Sequence, residues 1–282
     1  MDAHFALFGD GRVMGNAVTA ARPGRRAVTP ALRWAPPLPV RLEDWTVEDH
    51  HIVESTQVLA RGRPAWSAIV AQEQRRGRGQ RDRTFVSDRG GLYLSAVLPY
   101  AGDPLRARGF ALAVGWAVRV ALLELGFSGL RLRWPNDLMI GARKAGGILV
   151  EQGARDTLVV GIGLNVTNHP WEASPDLREI ACSLQDGATR GLPSRLVLTS
   201  ALLRALRRAF LEFEMAGFGG MVARLNASWG APREVVLELA VSGTVVRGKF
   251  AGISADGDVE IIGAGGTLCS VPEHHIARLR EV

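Results

Sequence analysis

The sequence predicts an α+β fold, a mixed or antiparallel sheet with flanking helices, followed by a small β-barrel. Three observations carry this expectation. Strand-like apolar runs dominate residues 48 to 166, two long helical patterns break in, and after Pro232 the texture changes to short alternating strands split by Gly and Asp. At 282 residues the chain suits one large domain plus a small one.

The first 41 residues hold five of the fourteen prolines and six arginines, and sustain no helical or strand period. Their Arg-rich, acid-poor composition resembles a transit peptide but lacks serine and a clear amphipathic face. Residues 1–47 are therefore expected to be a poorly ordered extension. Strands follow at "WSAIVAQEQ", "GLYLSAVL", "LRLRW", "GGILVEQ" and "TLVVGIGLNV". One helix is expected from Asp103 as N-cap, with Pro104 at its first position, to about Gly126. A second runs from Ser194 to about Gly217, and "GGMVARLNASW" makes a weaker third. The predicted domains are residues 48–232 and 233–282.

Composition excludes several function classes. The longest apolar run, "FALAVGWAV", stops at Arg119, too short to span a bilayer, so no membrane partner is expected. The net charge of +6 is concentrated at the N-terminus, because residues 1–41 set six arginines against Asp2 and Asp10. The remaining body carries only +2, which argues against a nucleic-acid partner. Cys182 and Cys269 form no CxxC, which fits a reduced, cytoplasmic chain. The pairs His50-His51 and His274-His275 make no HExxH pattern.

Two segments carry the chemistry. In "QEQRRGRGQRDRTF", residues 72–85, five arginines alternate with Gly77 and Gly79 between two strands. Glycines let a loop curl its amides around an anion, and arginines clamp phosphate or carboxylate oxygens. In "RWPNDLMIGARKAGG", Asp137 stands at a strand start, and the short link to Lys144 suits a hairpin that brings the two together. Lys144 is one of two lysines among 34 basic residues, and an ammonium is a mobile point charge where a guanidinium is a rigid fork. Gly147, Gly161 and Gly163 lie inside strands, where a missing side chain lets a planar ring approach the backbone.

"VESTQ", "QRRGRGQRDRTFVSDRGGLYLS", "RWPNDL", "RKAGGILVEQ" and "VGIGLNV" occur in the order and spacing of biotin protein ligases, and the chain resembles that family over roughly residues 48–282. The resemblance implies a class II synthetase-like catalytic core, an SH3-like C-terminal domain, and a monofunctional enzyme without an N-terminal helix-turn-helix. It further implies ATP, Mg²⁺ and biotin, formation of biotinyl-5′-AMP, and transfer to one lysine of a biotin carboxyl carrier protein, as in acetyl-CoA carboxylase. A homodimer is left open.

By the same resemblance, Lys144, Asp137, Arg78, Arg81 and Arg83 are the catalytic set. Ser55, Thr56, Gln57, Gln74, Arg78, Gly79, Gln80, Lys144, Gly147, Leu149, Gly161 and Gly163 surround biotin. Arg78, Arg81, Arg83, Phe85, Asn136, Lys144 and Asn165 meet the nucleotide, Asp137 holds Mg²⁺ or steers the incoming lysine, and Arg278 or Arg280 is a candidate to reach ATP. Five positions depart from the pattern: Gln57 replaces a common Asn, Phe85 a Trp, Arg133 a Lys, and Gln80 and Asp82 an Arg and a Gly. The last two lower the positive charge beside the phosphates, which predicts looser retention of the adenylate.

Overall fold

The computed structural model describes residues 39–282 except 103–106, 108, 155 and 231. Strands β1 (Val40–Leu42), β2 (Trp45–Val53), β3 (Ser67–Gln74), β4 (Leu92–Pro99), β5 (Leu130–Arg133), β6 (Asp137–Ile140), β7 (Arg143–Gln152) and β8 (Thr157–Leu164) form one sheet. Its order is β1-β2-β3-β4-β8-β7-β6-β5. Among the described strands, β2 and β3 pair in parallel and the rest antiparallel; the short helix α1 (Thr56–Ala60) joins β2 to β3, so the sheet is mixed as expected.

The long helices α2 (Phe110–Glu124) and α3 (Arg195–Ala216) cover one face. Leu92, Leu94, Ala96 and Leu98 of β4, with Leu158, Val160, Ile162 and Leu164 of β8, point to that face and are buried in the main core. Truncating any of these leucines to alanine should cost about 2–5 kcal/mol. Helix α3 has the predicted ends: Ser194 Oγ accepts the Val197 N–H at 3.3 Å, and Gly217 stops the helix at φ 63°. Phe210 and Phe213 pack from α3 onto Phe110 of α2. The predicted helix start at Asp103 and Pro104 lies outside the described residues. The helix seen begins at Phe110, after Gly109 at φ 75°. Helix α4 (Gly219–Ser228) follows α3. No helix among the described residues is long and apolar enough to cross a membrane.

Strand pairing begins at Val40, ahead of the expected residue 48. The β1–β2 turn is acidic and shows no strand period, but α3 anchors it: Arg204 and Ser200 bind Glu43, and Arg207 binds Asp44. Trp45 is fully buried, edge-on to Trp66 at 5.1 Å. Tertiary contacts therefore order a segment whose local pattern is that of a loop.

A second, antiparallel sheet holds β9 (Arg233–Leu239), β10 (Val245–Ile253), β11 (Val259–Ile262), β12 (Leu268–Val271) and β13 (Ile276–Glu281) in the order β12-β11-β10-β9-β13. Strand β13 was not legible in the charged run "HIARLREV". It is locked to the large sheet by Arg131, whose two Nη atoms grip the Glu281 carboxylate at 2.8 and 2.6 Å. Arg233 adds a third contact to Glu281 at 3.2 Å.

Candidate active site

The free face of the large sheet carries the unusual residues, and strand register explains why. Ser95 pairs with Gly161 and Tyr93 with Gly163 between β4 and β8. Gly161 pairs with Leu149 and Gly163 with Gly147 between β8 and β7, and Gly147 pairs with Asp137 of β6, which pairs with Arg133 of β5. Directly paired residues project to the same side of a sheet, so this row forms one surface. Helix α1 covers one end through Ala60, Ile69, Val97 and Val159. The rest is the floor of a cavity of about 860 Å³, and β13 contributes a wall from Ala277 to Glu281.

Lys144 reaches this face through a β-bulge. The β6–β7 register shifts between Leu138 and Met139, so Met139 opposes Lys144. Without the extra residue Lys144 would oppose Ile140 and point to the other side, away from Asp137. Instead Lys144 Nζ sits 2.5 Å from Asp137 Oδ1. The lysine backbone is pinned as well, its N–H donating to Ile180 O at 2.8 Å and its carbonyl accepting from Cys182 N–H at 2.9 Å. Arg133 Nη2 takes the other oxygen, Asp137 Oδ2, at 2.6 Å. Burial pushes the Asp137 carboxyl up, but the charges of Lys144 and Arg133 and their hydrogen bonds outweigh it and hold the group below the usual carboxylate range. Asp137 is thus an ionised counter-ion between two cations.

That arrangement does not fit the expected magnesium ligand. Both Asp137 oxygens are occupied, and the described residues contain no group of three or more His, Cys, Asp or Glu able to hold a metal ion. Magnesium prefers one or two carboxylates free to accept it, completed by water and phosphate.

A chain of hydrogen bonds runs beside the glycines. Gln74 Nε2 donates to Ser87 Oγ at 2.9 Å, while Gln74 Oε1 accepts from the Thr56 N–H at 2.8 Å and from Thr56 Oγ1 at 3.0 Å. Thr56 Oγ1 meets Ser95 Oγ at 2.8 Å, Ser95 Oγ donates to Gln57 Oε1 at 2.9 Å, and Gln57 Nε2 donates to Val159 O at 3.1 Å. The two hydroxyls share two protons among three contacts, so the chain holds its groups in position while leaving the donor between Thr56 and Ser95 open, a setting suited to a small polar head. A Cβ on Gly161 would stand 2.7 Å from Gln57 Oε1, and one on Gly163 would stand 2.9 Å from the Phe85 ring. The planar groups lying on these glycines are therefore the protein's own amide and phenyl ring.

The arginine loop is a closed turn. Gly79 N–H donates to Arg83 O at 2.7 Å and Phe85 N–H to Gly77 O at 2.9 Å, and a Cβ on Gly77 would stand 2.2 Å from Phe85 O. Arg81 adopts φ 56° and donates from Nη2 to Ile276 O, tying the loop to β13. Arg78 lies 3.6 Å from Glu151.

Most expected residues converge. Thr56, Gln57, Gln74, Arg78, Gly79, Gln80, Arg81, Arg83, Phe85, Asn136, Asp137, Lys144, Gly147, Leu149, Gly161, Gly163 and Asn165 all line the cavity, as do both Arg278 and Arg280. Ser55 does not. It is the N-cap residue of α1, 2% exposed, and its Oγ has no hydrogen-bond partner among the described residues. Asn136 spends its amide on Ile148 O at 2.5 Å and Asn165 on Cys182 O at 3.1 Å, which makes both braces of the site as well as wall. The Asp82 side chain lies outside the described ones. Ser95 and Ser87 escaped the sequence reading, although Ser95 is the lone hydroxyl inside the otherwise apolar interior of "GLYLSAVL" apart from Tyr93. Leu177 and Ile180, also missed, wall the cavity from a segment without sequence period.

Residues 49–166, which hold nearly all of this surface, match the biotin/lipoate A/B protein ligase family. The chain is 34% identical over 162 residues to the bifunctional ligase/repressor BirA of Escherichia coli K12, covering 56% of this chain and 50% of that protein. It is also 34% identical over 153 residues to the biotin–[acetyl-CoA-carboxylase] ligase of Mycobacterium tuberculosis H37Rv, covering 52% of this chain and 55% of the relative. The chain thus spans about half the length of the curated relatives it matches. Its fold superposes on the biotin protein ligase of Aquifex aeolicus in complex with biotin and ATP. There the TM-score is 0.72 at 26% identity, over 84% of this chain and 99% of that chain.

Proposed function

We propose that this chain is an ATP-dependent biotin protein ligase that adenylates biotin and transfers it to a lysine of a biotin carboxyl carrier protein. The observation that carries the reading is one cavity holding a hydrogen-bonded polar slot, a pinned lysine and an arginine loop. The first step joins two anions. A biotin carboxylate oxygen attacks the α-phosphorus, the bond to the β-phosphate bridging oxygen breaks, and pyrophosphate leaves. Fixed cations that offset the repulsion are the main catalytic requirement. Lys144, held by Asp137, takes the position between carboxylate and α-phosphate, with Arg78, Arg81 and Arg83 on the phosphates. Thr56, Gln57, Gln74 and Ser95 serve the ureido ring, and Phe85 serves the adenine.

In the second step the carrier's amine attacks the acyl carbon, AMP departs, and the amine loses a proton. Asp137 contributes here by keeping Lys144 in place; its engaged oxygens make it a positioning group. Magnesium enters this reading with the nucleotide and not as a ligand of Asp137. Residues 40–232 form the catalytic domain, which takes in the strands ahead of residue 48, and residues 233–282 the C-terminal one. Such an enzyme works in the cytoplasm, where its carriers and ATP are found. Incubation with ATP, biotin and a carrier domain should add the mass of one biotinyl group, biotin less water, to the carrier, with lipoic and octanoic acids failing to compete. No labelling of any carrier, or labelling by lipoate, would contradict it.

A further inference from the structure

Glu151 lies on β7, seven residues beyond Lys144, and is shared by two arginines. Arg61, at the C-terminus of α1, donates from Nη2 to Glu151 Oε1 at 2.8 Å, and Arg78 Nη2 stands 3.6 Å from the same oxygen. The contact with Arg61 is one-legged. Glu151 Oε2 and Arg61 Nε are both buried and neither has a hydrogen-bond partner among the described residues. A buried carboxylate oxygen and a buried guanidinium N–H left over on one ion pair are costly, and together they are the two halves of a bidentate fork. Arg78 has a second side to serve: it lines the main cavity, and it also lines a smaller one of about 340 Å³ whose wall includes Glu151.

We infer that Arg61 and Glu151 form a two-position latch for Arg78. In one position, one Glu151 oxygen is shared between both guanidinium groups, and Arg78 is drawn toward the smaller cavity. When an anionic substrate takes Arg78, Arg61 closes on Glu151 through the spare Nε and Oε2 and replaces the lost cation. Arg61 therefore lowers the cost of releasing Arg78, while Glu151 holds it back. Both are positioning residues that act through Arg78. The latch rests on the reading that Arg78 meets anionic substrate, and it needs no assumption about biotin.

The two side chains must then act with opposite sign, which a general structural role does not produce. Calorimetric titration with inorganic pyrophosphate is the probe. Glu151→Gln should tighten pyrophosphate binding about threefold and Arg61→Gln should weaken it about three- to fivefold, the scale of a partly exposed ion pair. The double variant should match Glu151→Gln, since Arg61 acts only through Glu151. Changes of the same sign, or a double variant that adds the Arg61 loss, would overturn the latch. If Glu151→Gln does not fold, Arg61→Gln with partial recovery in Arg61→Lys still supports it, and unaltered binding in Arg61→Gln overturns it. Wild-type protein that binds no pyrophosphate also overturns it. Wild-type protein that binds pyrophosphate but shows no biotin-dependent exchange removes the proposed function and leaves the latch standing.

Discussion

The Asp137–Lys144 corner and the arginine loop both carry cations to one cavity, yet they are built differently. The corner is made by strand register: a bulge turns Lys144 to the free face, three paired strands fix its height, and Ile180 and Cys182 pin its backbone. The loop is made by close backbone approach at Gly77 and Gly79 and by one tie from Arg81 to β13. Groups placed by a sheet cannot shift without moving the core, whereas groups placed by a loop can trade partners. The corner should therefore set the rate of the chemistry, and the loop should set how long anions stay.

The largest effect belongs to the corner. Lys144→Arg keeps the charge but replaces a point cation with a fork that cannot sit 2.5 Å from Asp137 Oδ1 in the same way. Pyrophosphate release should fall by about two orders of magnitude, the scale of one lost electrostatic donor. A folded Lys144→Arg protein with near-normal release would erase the difference between corner and loop.

Next comes Asp137→Asn, which leaves Lys144 and Arg133 facing one another and should destabilise the fold by about 1–3 kcal/mol, discounted for the partial exposure of both cations. The pH dependence follows from the lowered folded-state pKa of Asp137. A depressed carboxyl contributes stability that is fully present above its unfolded value and lost as pH falls through the folded one. The gap between wild type and Asp137→Asn in denaturant melts should thus be constant near neutrality and close below about pH 4. A gap that widens on acidification would contradict the ion-pair account.

The loop should show the smallest effect. Gln80 borders both cavities where the family pattern suggests another cation. Gln80→Arg should slow loss of biotinyl-AMP about tenfold in the absence of carrier, the worth of one charge-assisted hydrogen bond. Equal dissociation rates would mean that Arg78, Arg81 and Arg83 already close the loop.

Legibility followed the same division. The strands and α3 could be read because apolar periodicity and caps such as Ser194 and Gly217 are local signals. The approach of Asp137 to Lys144 followed from a short hairpin link, but the bulge that makes the two share a face has no mark in the sequence. Trp45, β13 and the Glu281 clamp were missed because long-range partners order them: α3 for the first turn, Arg131 for the last strand. The sequence likewise does not reveal that Arg133 engages the second oxygen of Asp137, the residue expected to hold magnesium or steer the incoming lysine. Ser95 shows the finest limit, a hydroxyl whose meaning depends on Thr56 and Gln57 arriving from another element.

Isotope exchange between pyrophosphate and ATP, measured on the wild-type protein without any carrier, isolates the step assigned to this cavity. Biotin should be required for exchange, and lipoic and octanoic acids at equal concentration should give none, because neither presents a ureido head to the Gln74–Thr56–Ser95–Gln57 chain. Exchange driven equally well by lipoic or octanoic acid, or exchange that proceeds without any added acid, would contradict the assignment of this site to biotin.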